Sequence, residues 1–184
     1  MRFHALPLAG AIVIEPEQNS DARGSFARLF DAELFSAQSL PTEFVQSSIS
    51  FNHHSATLRG LHFQASPYAE AKLVRCTAGA MLDVIVDIRR SSPTFGRHHS
   101  VELTAQNRLA LFIPKGFAHG FQTLADGTEV YYQMTQKYVP GAARGIAWND
   151  PAIGIAWPHP PAVMSDRDRA LLPLSALQDS ELDS

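Results

Sequence analysis

The heptapeptide Leu58-Arg59-Gly60-Leu61-His62-Phe63-Gln64 sets an arginine, a histidine and a glutamine among residues that otherwise belong to a core strand. Imidazole titrates near neutrality, which suits His62 to moving a proton or binding a metal. Side chains alternate along a strand and send Arg59 and His62 to opposite faces, unless a bulge at Gly60 re-aims one of them. The plainer alternative is a hydrogen-bonded core histidine beside a surface arginine. Lys72 shares a face with Val74 and Cys76. A lysine in that company either sits at a strand edge with its ammonium in water or is held in a cleft. Asp83 and Asp87 share a face of the apolar run 82–88, so they are either a buried carboxylate source for Lys72 on a neighbouring strand or solvated aspartates. His119 lies on a Gly-flanked turn that enters a strand. Tyr131 and Tyr132 must face opposite ways, so only one of them can line an interior pocket.

Other chemistries find little support. The chain has eight histidines. A metal needs three or four imidazole, thiolate or carboxylate ligands converging on one point. His62 is followed by Gln64 where a second ligand would stand, Glu70 is distant, and the adjacent pairs His53-His54 and His98-His99 read as loop or surface residues. No metal is expected. The chain has no phosphate loop, no Gly-x-Gly-x-x-Gly and no Gly-x-Ser-x-Gly. P-loop hydrolysis and Rossmann hydride transfer are thereby set aside.

These residues must be held by strands. Short runs rich in Val, Ile, Phe and Tyr, punctuated by Gly, Pro, Asn and Asp, predict strands over 11–15, 44–51, 57–64, 71–77, 80–89, 98–103, 108–113, 119–124 and 129–135. Two short helices are expected, one capped by Asp31 through Gln38 and one opened by the Ser165-x-x-Asp168 pattern. The 184 residues, 45% hydrophobic and 18% charged, suit one globular domain, and 178–184 reads as a frayed polar end. A formal charge of −3 argues against a surface built for nucleic acid or membrane. The single cysteine, Cys76, excludes a disulfide scaffold and fits a reducing, cytoplasmic setting. The apolar stretch 5–14 is too short to span a bilayer and reads as a first strand.

Taken together, the motifs resemble the dTDP-4-dehydrorhamnose 3,5-epimerase family. The likeness runs from Asp21-x-Arg23-Gly24-x-Phe26 and Val45-Gln46, through the Arg59–His62 heptapeptide and Lys72-Leu73-Val74, to Asp83-Val84-x-Val86-Asp87-x-Arg89 and Ser92-Pro93-Thr94-Phe95-Gly96. It continues in Pro114-x-Gly116-Phe117-Ala118-His119-Gly120-Phe121, Trp148-Asn149-Asp150-Pro151 and Ser165-x-x-Asp168. The resemblance implies an all-β, cupin-type jelly roll or sandwich barrel with short accessory helices. It also implies a homodimer that needs no metal or other cofactor and acts on a nucleotide-linked 4-keto-6-deoxy sugar. By the family's pattern His62 is the base with Asp168 as its partner, Tyr132 donates a proton from the opposite face, and Lys72 steadies the enolate. For substrate contacts the pattern assigns Arg23, Arg59 and Arg167 to the diphosphate, Tyr138 and Phe26 to the nucleoside, His119 to the sugar, and adds Gln46 and Ser48.

Three positions depart from that pattern. Arg28 stands where the family commonly has glutamate, Ser48 where it has asparagine, and Ala143 where it has a second glutamate. The catalytic set is intact while positions that touch substrate have changed. The nearest alternative is therefore an epimerase of the same fold that inverts one centre or takes another nucleotide. A non-catalytic sugar-nucleotide-binding cupin is a further alternative, against which stands the joint presence of His62, Lys72, Tyr132 and Asp168. Gln64 in place of a ligand speaks against a metal-dependent cupin oxygenase.

Overall fold

Leu73 and Val74, Val84 and Ile85, Leu111 and Phe112 are neighbours in sequence that point to opposite faces of a strand, yet every one of them is buried. Both faces of each sheet must therefore be covered. The computed structural model describes residues 1–182. Its strands are β1 (Arg2–Ala5), β2 (Ile12–Glu15), β3 (Gln18–Asp21), β4 (Gly24–Ala27), β5 (Gln46–Asn52), β6 (Leu58–Gln64), β7 (Lys72–Ala78) and β8 (Ala80–Asp87). They continue as β9 (His98–Thr104), β10 (Ala110–Ile113), β11 (Phe117–Thr123), β12 (Thr128–Met134) and β13 (Ala143–Gly145). One sheet has the order β1-β2-β10-β7-β12-β5 and the other β13-β6-β11-β8-β9, while β3 and β4 form a separate hairpin. From β5 onward most connections pass from one sheet to the other, so the two sheets form the sandwich of a jelly roll. This is the all-β architecture expected.

Three apolar layers result. Between the sheets, Val74, Leu111, Ile113 and Val130 meet Met81, Ile85, Leu103 and Phe121. Helix α1 (Ala32–Ala37) lays Phe35 on Ile14, Leu73 and Phe112 outside the first sheet. Burying that one ring completely is worth about 1.5–3 kcal/mol. The helix starts at Asp31, whose carboxylate accepts the Glu33 and Leu34 amides at 3.1 Å each. Outside the second sheet the chain after β13 covers Leu61, Phe63, Val84 and Val86 with Ile146, Ile153, Leu174 and Leu182.

The nine expected strands are present, with ends that differ by two residues at most. β8 stops at Asp87 because that carboxylate turns to accept hydrogen bonds from Arg89, Ser92 and Thr94. β10 starts late because Arg108 takes a positive φ of 54° in the preceding turn. Strands β1, β3, β4 and β13 were not expected. The first three are polar or exposed and carry no apolar alternation, and β13 is three residues held by pairing to β6. His98 and His99 begin β9, not a loop. The end of the chain also differs from expectation: α3 (Asp179–Leu182) buries Leu182, while the last two residues of the expected frayed segment lie outside the described ones. Among the described residues no helix is long and apolar enough to cross a membrane.

Candidate active site

Strand β6 does not run in regular register with β11. His119 lies opposite His62 and Phe121 opposite Arg59, so β6 spends one residue more than its partner over that step. The extra residue is the bulge that Gly60 allows. With φ of +122°, Gly60 packs so closely on β11 that a Cβ would lie 2.5 Å from the Gly120 Cα, and Gly120 in turn has no room for a side chain against the Arg59 carbonyl. In consequence Arg59 and His62 both line one cavity of about 710 Å³ to which strands of both sheets contribute.

His62 meets Asp168 there. Helix α2 (Asp166–Arg169) is capped by Ser165, whose hydroxyl accepts the Asp168 amide at 3.1 Å, and it delivers the Asp168 carboxylate to 2.7 Å from His62 Nε2. The second Asp168 oxygen accepts the Gly60 amide at 3.2 Å. Burial by itself would raise the Asp168 carboxyl, but the hydrogen bonds of His62, Gly60 and Ser165 outweigh it and hold the group below its ordinary value. With Asp168 ionised, Nε2 carries the proton and the Nδ1 lone pair is free to act as a base. The capping role and the imidazole-holding role of Asp168 hold together.

Lys72 is not on an edge strand, and among the described residues its ammonium pairs with neither Asp83 nor Asp87. Its ammonium lies 3.0 Å from Glu70, with both side chains largely buried, and 3.4 Å from the His62 carbonyl. Gln64 donates to the same carboxylate and ties it to the loop carbonyls of Tyr68 and Lys137. Asp87 instead staples the turn after β8, and Asp83 faces His119. Those two make a second imidazole–carboxylate pair at 2.9 Å, in which Asp83 is wholly enclosed and its other oxygen has no partner among the described residues. His119 lies inside β11, not on a turn, and its ring packs edge-on to Tyr132 with centroids 6.1 Å apart. Burial raises the Tyr132 phenol above its ordinary value, the Asp83 charge adds to that, and Arg59 opposes it. The cation acting on the phenol is thus Arg59. The phenol keeps its proton at neutral pH and is available as an acid.

Ten of the twelve site residues expected from the sequence line this cavity: His62, Tyr132, Asp168, Lys72, Gln46, Ser48, Arg59, His119, Tyr138 and Arg167. Arg23 and Phe26 do not. They sit on the β3–β4 hairpin, Arg23 paired with Asp21 and Phe26 73% exposed. Of the departures, Ser48 and Ala143 line the cavity, while Arg28 is tied to the α1 cap through Asp31 at 2.6 Å. Glu70, Asn52, Ser50 and Arg144 were not singled out as site residues. Glu70 had a signal, since its spacing of two from Lys72 is that of a shared face. Gln46 accepts the Tyr138 amide at 3.0 Å, so it also anchors the loop at the cavity mouth.

A family model described as dTDP-4-dehydrorhamnose 3,5-epimerase matches residues 5–176. The chain belongs to the dTDP-4-dehydrorhamnose 3,5-epimerase family. It is an isomerase, 43% identical over 169 residues to the dTDP-4-dehydrorhamnose 3,5-epimerase of Sinorhizobium fredii, a match that covers 91% of this chain and 87% of that one. Its fold superposes on dTDP-6-deoxy-D-glucose-3,5-epimerase from Legionella pneumophila in complex with dTDP-4-keto-L-rhamnose, with a TM-score of 0.93, 35% identity and coverage of 99% and 97% of the two chains. A 3'-monoepimerase from Streptomyces bikiniensis in complex with dTDP-quinovose is also similar, with a TM-score of 0.86, 34% identity and coverage of 94% and 87%. The proteins similar to this chain therefore include one described as a 3,5-epimerase and one described as a 3'-monoepimerase.

Proposed function

We infer that the protein converts dTDP-4-dehydro-6-deoxy-D-glucose to dTDP-4-dehydro-β-L-rhamnose by inverting C3 and C5, a step toward dTDP-L-rhamnose. The observation that carries this is the His62–Asp168 pair and the protonated Tyr132 phenol sharing one cavity with a buried lysine. The ketone at C4 acidifies the hydrogens on both neighbouring carbons, because either carbanion is an enolate. His62 Nδ1 takes the proton, and Asp168 stabilises the imidazolium that forms. Lys72, held by Glu70, faces the enolate oxygen, where a fixed positive charge in a low-dielectric site counts most. Tyr132 returns a proton to the other face of the carbon, which inverts it. Proton transfers alone complete the cycle, so no cofactor is required.

The remaining cavity serves the carrier. Arg59 and Arg167 hold the diphosphate with guanidinium forks, Tyr138 packs on the nucleoside, and His119, Gln46 and Ser48 contact the ligand between them. Arg23 and Phe26 complete the site from a second copy: a hairpin whose arginine and phenylalanine stand outside the 710 Å³ cavity of their own chain is suited to fill its partner's, in a homodimer. The enzyme works in the cytoplasm, in keeping with one unpaired cysteine. Inversion at a single centre is the second reading, favoured by the likeness to the 3'-monoepimerase. Replacement of His62 by alanine tests the mechanism: turnover of the dTDP sugar should be lost, and unchanged turnover would remove His62 from its role.

A further inference from the structure

A free arginine loses rotamer freedom when it grips a ligand, so an arginine held in place beforehand binds more tightly. Arg59 is exposed toward the cavity, yet it is not free: its Nε donates to the Asn52 side-chain oxygen at 2.7 Å. Asn52 is the last residue of β5 and is 2% exposed. Its amide nitrogen donates to the Thr128 carbonyl at 3.0 Å, on the β12 residue opposite it in register, and to the Ser50 carbonyl at 3.2 Å. These bonds settle which way the amide faces. Turned over, it would set its N–H groups against the Arg59 Nε–H and its oxygen against two carbonyls.

The amide is thereby fully engaged and does not line the cavity itself. The bond to Nε occupies the inner corner of the guanidinium. Among the described residues Nη1 and Nη2 have no protein partner, and this is the edge that meets two phosphate oxygens side by side. We propose that Asn52 is a positioning residue that presents Arg59 to the diphosphate of the nucleotide sugar in a preset orientation. This rests on the reading of Arg59 as a diphosphate ligand.

The test is a double-mutant cycle on dTDP binding, measured by calorimetry, with kcat and KM followed in parallel. Asn52→Ala should weaken dTDP about five- to twentyfold and raise KM to match, while kcat stays within about twofold. In the Arg59→Ala background the same change should move the dTDP dissociation constant by less than about twofold, because the group it positions is gone. An equal loss in both backgrounds would mark Asn52 as merely structural and overturn the proposal, as would unchanged dTDP binding in the single variant. If Arg59→Ala alone leaves dTDP affinity unchanged, what fails is the assignment of Arg59 to the diphosphate, and the proposal falls with it. Should the alanine variant not fold, Asn52→Ser keeps a hydroxyl for a strand carbonyl but is too short for Arg59, and the same outcomes apply.

Discussion

Replacing Asp168 separates two things that a carboxylate does for an imidazole. In Asp168→Ala the 2.7 Å bond to His62 Nε2 is removed and nothing takes its place. A hydrogen bond to an ionised group is worth about 1.5–3 kcal/mol. Asp168 is 5% exposed but His62 is 38% exposed, so water recovers part of the loss and the lower end of that range applies. At about 1.4 kcal/mol per decade, kcat should fall roughly ten- to thirtyfold. Asp168→Asn keeps more of the structure and should nevertheless be worse. Its amide can donate to Nε2, which moves the imidazole proton to Nδ1 and leaves no lone pair facing the substrate. The comparable change in a serine-protease triad costs about 10⁴ in kcat, and a loss of order 10³ or more is expected in this site. Initial rates on the dTDP sugar, beside melting curves that verify folding, give the order of the two variants. If the asparagine variant turns over as fast as the alanine variant, or if both stay within threefold of wild type, Asp168 does not set the tautomer of His62.

Other consequences can be measured independently. Tyr132→Phe should block inversion while deuterium from solvent still enters next to the ketone, since His62 remains; full retention of epimerisation would exclude Tyr132 as the acid. Asp87 is enclosed, and although burial alone would raise it, hydrogen bonds from Arg89, Ser92 and Thr94 hold its carboxyl at about 2. A lowered folded value gives stability that is present above the ordinary pKa of 3.8 and is lost as pH falls toward 2, about 2 kcal/mol in all. The melting temperature of Asp87→Asn should therefore lie below wild type at pH 7, with the gap closing between pH 4 and pH 2; a gap independent of pH would contradict this. Mixing inactive His62→Ala with inactive Phe26→Ala should restore up to about a quarter of wild-type activity if the hairpin serves the partner's site, because half the dimers then hold one intact site. No recovery after subunit exchange would place Phe26 in its own chain's site or in none.

The central strands β7, β8, β10 and β11 were legible because both their faces are largely covered, which writes each as an apolar run. The hairpin β3–β4 and strand β1 were not, since exposed polar strands look like loops in a single sequence. At the site, Gly60 between Arg59 and His62 carried the signal of a bulge, and the register with β11 shows its effect. Partner choice was harder to read. Asp83 and Asp87 have the spacing to reach Lys72, yet the fold assigns one to His119 and the other to a turn, and gives Lys72 to Glu70. Which strand lies beside which is decided by the whole topology, and alternation within one strand does not contain it. Asn52 was invisible for the same reason, as its partners come from β12 and β6.

The most direct test of the central claim is proton NMR of dTDP-4-dehydro-6-deoxy-D-glucose with the purified protein in deuterated water. Exchange of the C3 and C5 hydrogens accompanied by inversion at both carbons is the predicted result. Exchange confined to one carbon would make the protein a single-centre epimerase, and a substrate unchanged at both would contradict the assignment of this cavity to the reaction.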